Sequence, residues 1–167
     1  MLKYVDTKVT FAEIPNEISL CINISGCPNR CLGCHSKDLQ EDIGEELTTE
    51  VIDKLITENK GITCVCFMGG DSDPAYIIEL SKYIKLHHFL SVGIYSGKER
   101  MHADIVMGLG WFDYIKLGPY IEEKGPLNSP TTNQRLLKIY VEHNENEEPN
   151  LKVEDLTYLF WKDEIKN

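Results

Sequence analysis

Three cysteines in one short loop are the residues of this chain whose types and spacing point most directly to chemistry. Cys27, Cys31 and Cys34 have the spacing C-x3-C-x2-C, and they follow an apolar segment at residues 18–24. Thiolate is a soft ligand that selects zinc, cuprous copper or an iron–sulfur cluster. Three thiols placed this closely therefore predict a metal site.

The number of cysteines in the loop bears on which metal it holds. A structural zinc site takes four protein ligands and usually comes as two paired knuckles, but the sequence has no second C-x2-C pair. A [4Fe-4S] cubane held by three cysteines leaves its fourth iron open to an exogenous ligand, which makes the centre catalytic. We expect such a cluster, and keep as an alternative a zinc-stabilised interaction module whose fourth ligand is a distant His or Cys. His35 adjoins the third cysteine and is expected to face the cofactor rather than to bind the metal.

Length and charge narrow the class of protein. A chain of 167 residues is expected to form one domain with a proper core. Its net charge of −10 and pI near 4.9 argue against a nucleic-acid partner, because binding to phosphates requires a basic surface. The sequence has no signal-peptide apolar region and no long apolar span. We therefore expect a cytoplasmic protein with reduced thiols and no membrane partner.

Predicted strands and helices alternate along the chain, which favours parallel strands joined by right-handed crossovers. Helix boundaries follow from capping residues, as where Asp73 precedes Pro74. Strands are predicted at residues 18–24, 63–68, 91–95, 111–117 and 135–141, and helices at 48–59, 73–88 and 101–107.

Three segments outside this alternation carry separate expectations. The domain core is expected at about residues 18–141, followed by a C-terminal tail at 142–167 that is flexible between 142 and 150. The polar connection at 120–134 is long for a compact domain, and loops of that length are usually functional or mobile. The remaining cysteines lie in predicted strands and are expected to be buried free thiols: Cys21, Cys64 and Cys66.

Unusual residues follow three successive predicted strands. The cysteine loop follows the first, Gly69-Gly70-Asp71 the second and Ser96-Gly97 the third. In α/β folds ligands gather at the carboxyl ends of parallel strands, so these segments should converge on one site. A Gly-Gly pair lets backbone approach a ligand closely, and a carboxylate can accept hydrogen bonds from an ammonium group. Alone, a Gly-Gly-Asp turn is more often only a tight connection between a strand and a helix.

The order of these motifs resembles a known family, the activating proteins of anaerobic (class III) ribonucleoside-triphosphate reductases, within the radical S-adenosylmethionine (SAM) superfamily. The likeness covers residues 20–139. The cysteine motif by itself indicates only the superfamily. The last two motifs of the series narrow the resemblance to the family of activating proteins. In order, the motifs are Cys27, Cys31 and Cys34; Gly69-Gly70-Asp71; Tyr95-Ser96-Gly97; Gly118-Pro119-Tyr120-Ile121-Glu122-Glu123; and Asn133-Gln134-Arg135.

The resemblance implies a fold, two cofactors and their residues. The fold would be α/β, a compact partial (β/α) barrel of the radical SAM type with mostly parallel strands. A [4Fe-4S] cluster would be bound by the three loop cysteines, and its open iron would chelate SAM. Gly69, Gly70 and Asp71 would hold the amino group of SAM, with Ser96 close to SAM and His35 facing the cofactor.

The resemblance also implies an activity and partners. The chain would be an oxidoreductase that cleaves SAM reductively and generates a glycyl radical on the large subunit of the anaerobic ribonucleotide reductase. An electron donor such as flavodoxin or ferredoxin would supply the electron. A small-molecule radical SAM enzyme resembling 7-carboxy-7-deazaguanine synthase remains the alternative enzyme. The chain departs from its relatives at Gly33, where many radical SAM proteins have an aromatic residue, and at Leu117, where relatives often have Asp.

Overall fold

A mixed sheet flanked by helices organises the chain in the computed structural model, which describes residues 1–101, 103–142 and 150–161. The strands are β1 Lys3–Thr10, β2 Ser19–Ile24, β3 Glu45–Glu46, β4 Cys64–Met68, β5 Ser91–Tyr95, β6 Tyr114–Leu117, β7 Arg135–Glu142 and β8 Asn150–Asp155. The α-helices are α1 Thr49–Glu58, α2 Pro74–His87 and α3 Ala103–Met107.

The two longer helices begin where their capping residues predicted. The Thr48 side chain accepts a hydrogen bond from the backbone N–H of Val51 at the start of α1. The Asp73 side chain accepts one from Tyr76, and Pro74 occupies the first turn of α2, where a missing N–H costs nothing. In the described part of the chain, no helix combines the length and apolarity that crossing a membrane requires.

The strand order in the sheet is β3-β1-β2-β4-β5-β6-β7-β8. The four central strands β2, β4, β5 and β6 run parallel, with helical crossovers between them. The outer pairings are antiparallel, so three of seven pairings are parallel where the sequence predicted a mostly parallel sheet. The difference arises at the edges, because β1, β7 and β8 join their neighbours without a helical crossover and such connections favour antiparallel pairing.

The two faces of the sheet are covered differently. Helices α1, α2 and α3 pack on one face, in a core that includes Ile22, Phe67, Ile94, Ile52, Ile77 and Ile84. On the opposite face a second core is closed by loops and the 3-10 helix Thr157–Trp161 rather than by α-helices, and it includes Ile14, Cys21, Cys64, Cys66, Tyr114, Leu136 and Leu156. Neighbouring parallel strands follow each other in sequence, so every crossover helix can pack on the same face.

The three strand cysteines are buried free thiols, as predicted. Cys21 and Cys66 are register partners on adjacent parallel strands. Burial raises the pKa of the Cys64 thiol, and hydrogen bonding with Cys21 together with burial raises that of Cys66. The thiols of Cys64 and Cys66 are therefore protonated at neutral pH. Together with Cys21 they fill the second core as small apolar groups.

Several elements differ from the sequence prediction. The pattern did not indicate β1, β3 or β8, and β8 extends the sheet into the region expected to be a tail. Residues 143–149, most of the segment expected to be flexible, lie outside the described residues. The strand predicted from 111 begins at Tyr114, because residues 109–111 form a 3-10 turn closed by the hydrogen bond from Phe112 N to Leu109 O.

Candidate metal centre

One cavity of about 180 Å³ lies at the carboxyl ends of the parallel strands β2, β4, β5 and β6. This is the location that the strand-end argument predicted. Two predicted site residues, Gly70 and His35, are not among its wall residues. The wall includes Cys27, Cys31, Cys34, Asn29, Gly69, Asp71, Ser96, Gly97, Lys116, Gly118, Tyr120 and Gln134.

The cysteine loop is shaped by backbone contacts with the 3-10 turn Lys37–Gln40 and the residue after it. Cys27 N donates to Leu39 O at 2.9 Å, and Gly26 N donates to Glu41 O at 2.9 Å. Gly33, at φ 74°, gives the left-handed turn that separates the last two cysteines. All three thiols are half-buried, so a cofactor in the cavity can reach them.

The donor set fits an iron–sulfur cluster. Among the described residues, no group of three or more His, Cys, Asp or Glu side chains is arranged to hold a metal ion. The three loop thiols instead share the wall of one cavity, and in a [4Fe-4S] cluster each cysteine binds a different iron. A [4Fe-4S] cluster bound here would be held by Cys27, Cys31 and Cys34.

Asp71 links the cysteine loop to the end of β5. Its carboxylate accepts hydrogen bonds from Asn29 Nδ2 at 2.6 Å, Ser96 Oγ at 2.6 Å and Gly97 N at 2.9 Å. Asn29 Nδ2 also lies 3.7 Å from the Cys27 sulfur. A carboxylate can accept about four hydrogen bonds, so these contacts leave room for one further donor from a ligand.

The Gly-Gly turn before Asp71 needs glycine at both positions. Gly69 and Gly70 have φ values of 118° and 107°, a left-handed region that side chains rarely adopt. A Cβ on Gly70 would lie 2.5 Å from Ile77 Cγ1 of α2. Gly70 therefore packs against the helix, while Gly69 lines the cavity and its N–H donates to Tyr95 O at 3.0 Å.

Lys116 is a cavity residue that the sequence analysis did not identify as a site residue. Its side chain is 8% exposed, and its Nζ donates to Gly118 O at 2.8 Å. Burial lowers the pKa of this amine to about 8, although the negative charges of Cys31 and Asp71 oppose the shift. The sequence signal that could have identified this residue is a single lysine in the otherwise apolar strand β6.

The last two motifs of the sequence series form one wall of the site. Gln134 Nε2 donates to Gly118 O at 3.4 Å, and Asn133 Nδ2 donates to Pro119 O at 3.0 Å. A Cβ on Gly118 would lie 3.0 Å from Gln134 Cα, so the two segments pack backbone to backbone. The Asn-Gln pair therefore fixes the turn that presents Tyr120 to the cavity.

Tyr120, a wall residue of the cavity, also contacts the cysteine loop. Its ring lies 5.2 Å from the ring of His35 in an edge-on arrangement. A Cβ built on Gly33 would lie 3.4 Å from Tyr120 Cε1 and 3.3 Å from Glu122 Oε2. The space beside Gly33 is thus occupied by residues of the Gly-Pro-Tyr motif, and His35 contributes to the rim of the site.

Comparison with protein-family models gives a match over residues 18–104 to the 4Fe-4S single cluster domain. The chain belongs to this family. The matched segment of the 4Fe-4S single cluster domain contains the three loop cysteines, the Gly-Gly-Asp turn and Ser96. It confirms that the chain is an iron–sulfur protein and supports the expected [4Fe-4S] cluster over a structural zinc. No curated protein and no solved structure gave a match.

Proposed function

We propose that this chain is a radical SAM activase that cleaves SAM reductively and generates a glycyl radical on an anaerobic ribonucleoside-triphosphate reductase. One observation carries the proposal. The loop cysteines and the motifs after β4, β5 and β6 line a single cavity at the carboxyl ends of parallel strands. A cluster held there by three protein ligands would keep one iron free for an exogenous ligand, and the other wall residues of the cavity can bind a small polar molecule.

Held by Cys27, Cys31 and Cys34, a reduced cluster would supply the one electron that reductive cleavage of SAM requires, and the cleavage would provide the radical that abstracts a hydrogen atom from a glycine of the reductase. We propose flavodoxin or ferredoxin as the source of the electron.

The residues of this chain bind and orient the reactants. The remaining acceptor position of Asp71 can receive the ammonium group of SAM, and backbone at Gly69 is accessible from the same cavity. Ser96 holds the Asp71 carboxylate in place at 2.6 Å. His35 packs on Tyr120 at the rim rather than in the wall, so its proposed role is to support the cofactor side of the loop.

The partner assignment is supported by the resemblance in the Gly-Pro-Tyr and Asn-Gln-Arg motifs. Gly118, Tyr120 and Gln134 of these motifs line the same cavity as the loop cysteines, which a flexible segment of the reductase would have to reach. The connection at 120–134 begins and ends at wall residues of the cavity, Tyr120 and Gln134, and is the proposed contact for that segment.

We also propose that the sheet is a partial (β/α) barrel of the radical SAM type. The central parallel strands β2, β4, β5 and β6 are adjacent in chain order. All three helices contribute to the core on one face of the sheet, and the cavity lies at the carboxyl ends of those strands. The order of the strands, the helices on one face and the cavity at the strand ends are all typical of (β/α) barrels.

The decisive experiment is anaerobic. The reconstituted protein, which should bind about four irons, is incubated with reductant, SAM and the anaerobic reductase of the same organism, and the EPR spectrum is recorded. We expect a glycyl doublet on the reductase with wild type and with Cys64→Ala, and none with Cys31→Ala. Cleavage of SAM without that doublet, but with turnover of a small pterin-like substrate, would instead favour the enzyme resembling 7-carboxy-7-deazaguanine synthase.

A further inference from the structure

Lys116 is the only charged residue that is buried among those whose side chains the structure describes. An ammonium group loses its hydration when it is buried, and this cost must be compensated by dipoles or opposite charges. One dipole is the carbonyl of Gly118, which accepts from Nζ at 2.8 Å. The Tyr95 ring, 5.9 Å from Nζ, is a weaker contact.

The groups whose negative charges would favour the cationic form of Lys116 lie at the metal site. They belong to Cys31, Asp71, Cys34 and Cys27, in descending order of effect. The pKa of the amine, lowered by burial only to about 8, leaves it mostly protonated at neutral pH. The buried cation and the three loop thiols therefore line the same cavity.

The position of this cation is fixed by the sheet. Lys116 pairs with Tyr95 on the parallel strand β5 and with Leu136 on the antiparallel strand β7. Its backbone carbonyl accepts a hydrogen bond from Ser96 N at 2.8 Å. A charge on a central strand, with its stem buried, cannot swing out to solvent when the electric field in the cavity changes.

We propose that Lys116 sets the reduction potential of the cluster by placing a fixed positive charge beside it. Reduction adds one electron and hence one negative charge to the cluster. A nearby cation stabilises the more negative state, so it raises the potential and makes the cluster easier to reduce. This inference rests on the placement of the cluster on Cys27, Cys31 and Cys34 in the proposed function, but it does not depend on SAM or on the reductase.

The test is a redox titration of the reconstituted protein with dithionite, followed by EPR of the reduced cluster, without SAM. Lys116→Met removes the charge and keeps an apolar stem of similar volume, a change that buried sites often tolerate. Lys116→Gln is a second neutral variant, and Lys116→Arg keeps the charge. Lys138→Gln is the matched control, because Lys138 lies near the rings of Tyr114 and Tyr140 and is not part of the cavity wall.

We expect the neutral variants to disfavour one-electron reduction about tenfold, a shift of ~59 mV to more negative potential. The reduction potentials of Lys116→Arg and Lys138→Gln should stay close to that of wild type. The proposal is overturned if a neutral variant with full iron content keeps the wild-type potential, or if Lys116→Arg shifts as far as Lys116→Met. Iron content identifies a neutral variant that fails to assemble the cluster. In that case the reduction potential of the other neutral variant tests the proposal. Failure of SAM cleavage in wild type would refute the proposed function and leave this measurement valid.

Discussion

Replacing Asp71 by Ala should destabilise the site even before any ligand binds. The change removes three hydrogen bonds to a carboxylate, from Asn29, Ser96 and Gly97. Such bonds contribute about 1.5–3 kcal/mol each, or about 4.5–9 kcal/mol in a dry site. Because this carboxylate is only part-buried and water can enter the cavity to solvate the freed donors, we take the lower end, about 4.5 kcal/mol.

The assay is thermal unfolding of the apo-protein, with iron content after reconstitution as a second measurement. For a chain of this length about 4.5 kcal/mol corresponds to a fall in Tm of about 9–18 °C. Asp71→Asn can keep the acceptor geometry but loses the charge, so a smaller fall, about 2–8 °C, is expected. Both variants should retain less iron, because Asn29 lies between two of the cysteines.

Asp42→Ala is the control for this series. The Asp42 side chain is 78% exposed and pairs with Lys3 on the surface, so its loss should change stability by about 0.5 kcal/mol or less. If the Tm of Asp71→Ala fell no further than that of Asp42→Ala, the linking role of Asp71 would be refuted.

Two further predictions concern the same loop and the buried thiols. Gly97→Ala places a Cβ 2.4 Å from Asn29 Nδ2 and should break the hydrogen bond from Asn29 to Asp71, lowering Tm by about 3–12 °C. The control is Gly110→Ala, where a Cβ meets nothing within 4 Å and the Tm should stay near that of wild type. Equal Tm values for the two variants would contradict the predicted clash at Gly97. In the native apo-protein at pH 8, iodoacetamide should label the three loop thiols, whereas the buried thiols, Cys64 among them, should react only in denaturant, since burial raises the pKa of Cys64 and blocks access to it. Mass spectrometry after a timed reaction checks this, and labelling of Cys64 at the rate of the loop thiols would show that the second core is open.

The parts of the fold that the sequence predicted are those encoded by neighbouring residues. Helix α2 begins at Pro74 because Asp73 can cap it locally. The apolar run of β4 signals a strand covered on both faces, which its buried residues confirm. The convergence of strand-end motifs then follows from parallel pairing, without any knowledge of individual contacts.

The parts that the sequence did not predict depend on contacts between distant residues. Asn29 and Asp71 are 42 residues apart, and nothing in the loop itself indicates which side chain Asn29 will bond. Strand β8 is exposed along its length, so its sequence carries no buried-face pattern. The charge of Lys116 could be read from the sequence, but its burial follows only from the assembled sheet and the turn at Gly118.

The contacts that shape the cysteine loop affect how metal binding is coupled to folding. Glu41, Leu39 and Asp71 hold the loop through hydrogen bonds that contain no metal. Its conformational entropy is therefore lost when the chain folds rather than when the cluster is inserted. In zinc fingers, by contrast, the free energy of metal binding is the free energy of folding. For this chain, removing the cluster should leave a folded receptor with its thiols already in place, able to accept a new cluster with little reorganisation.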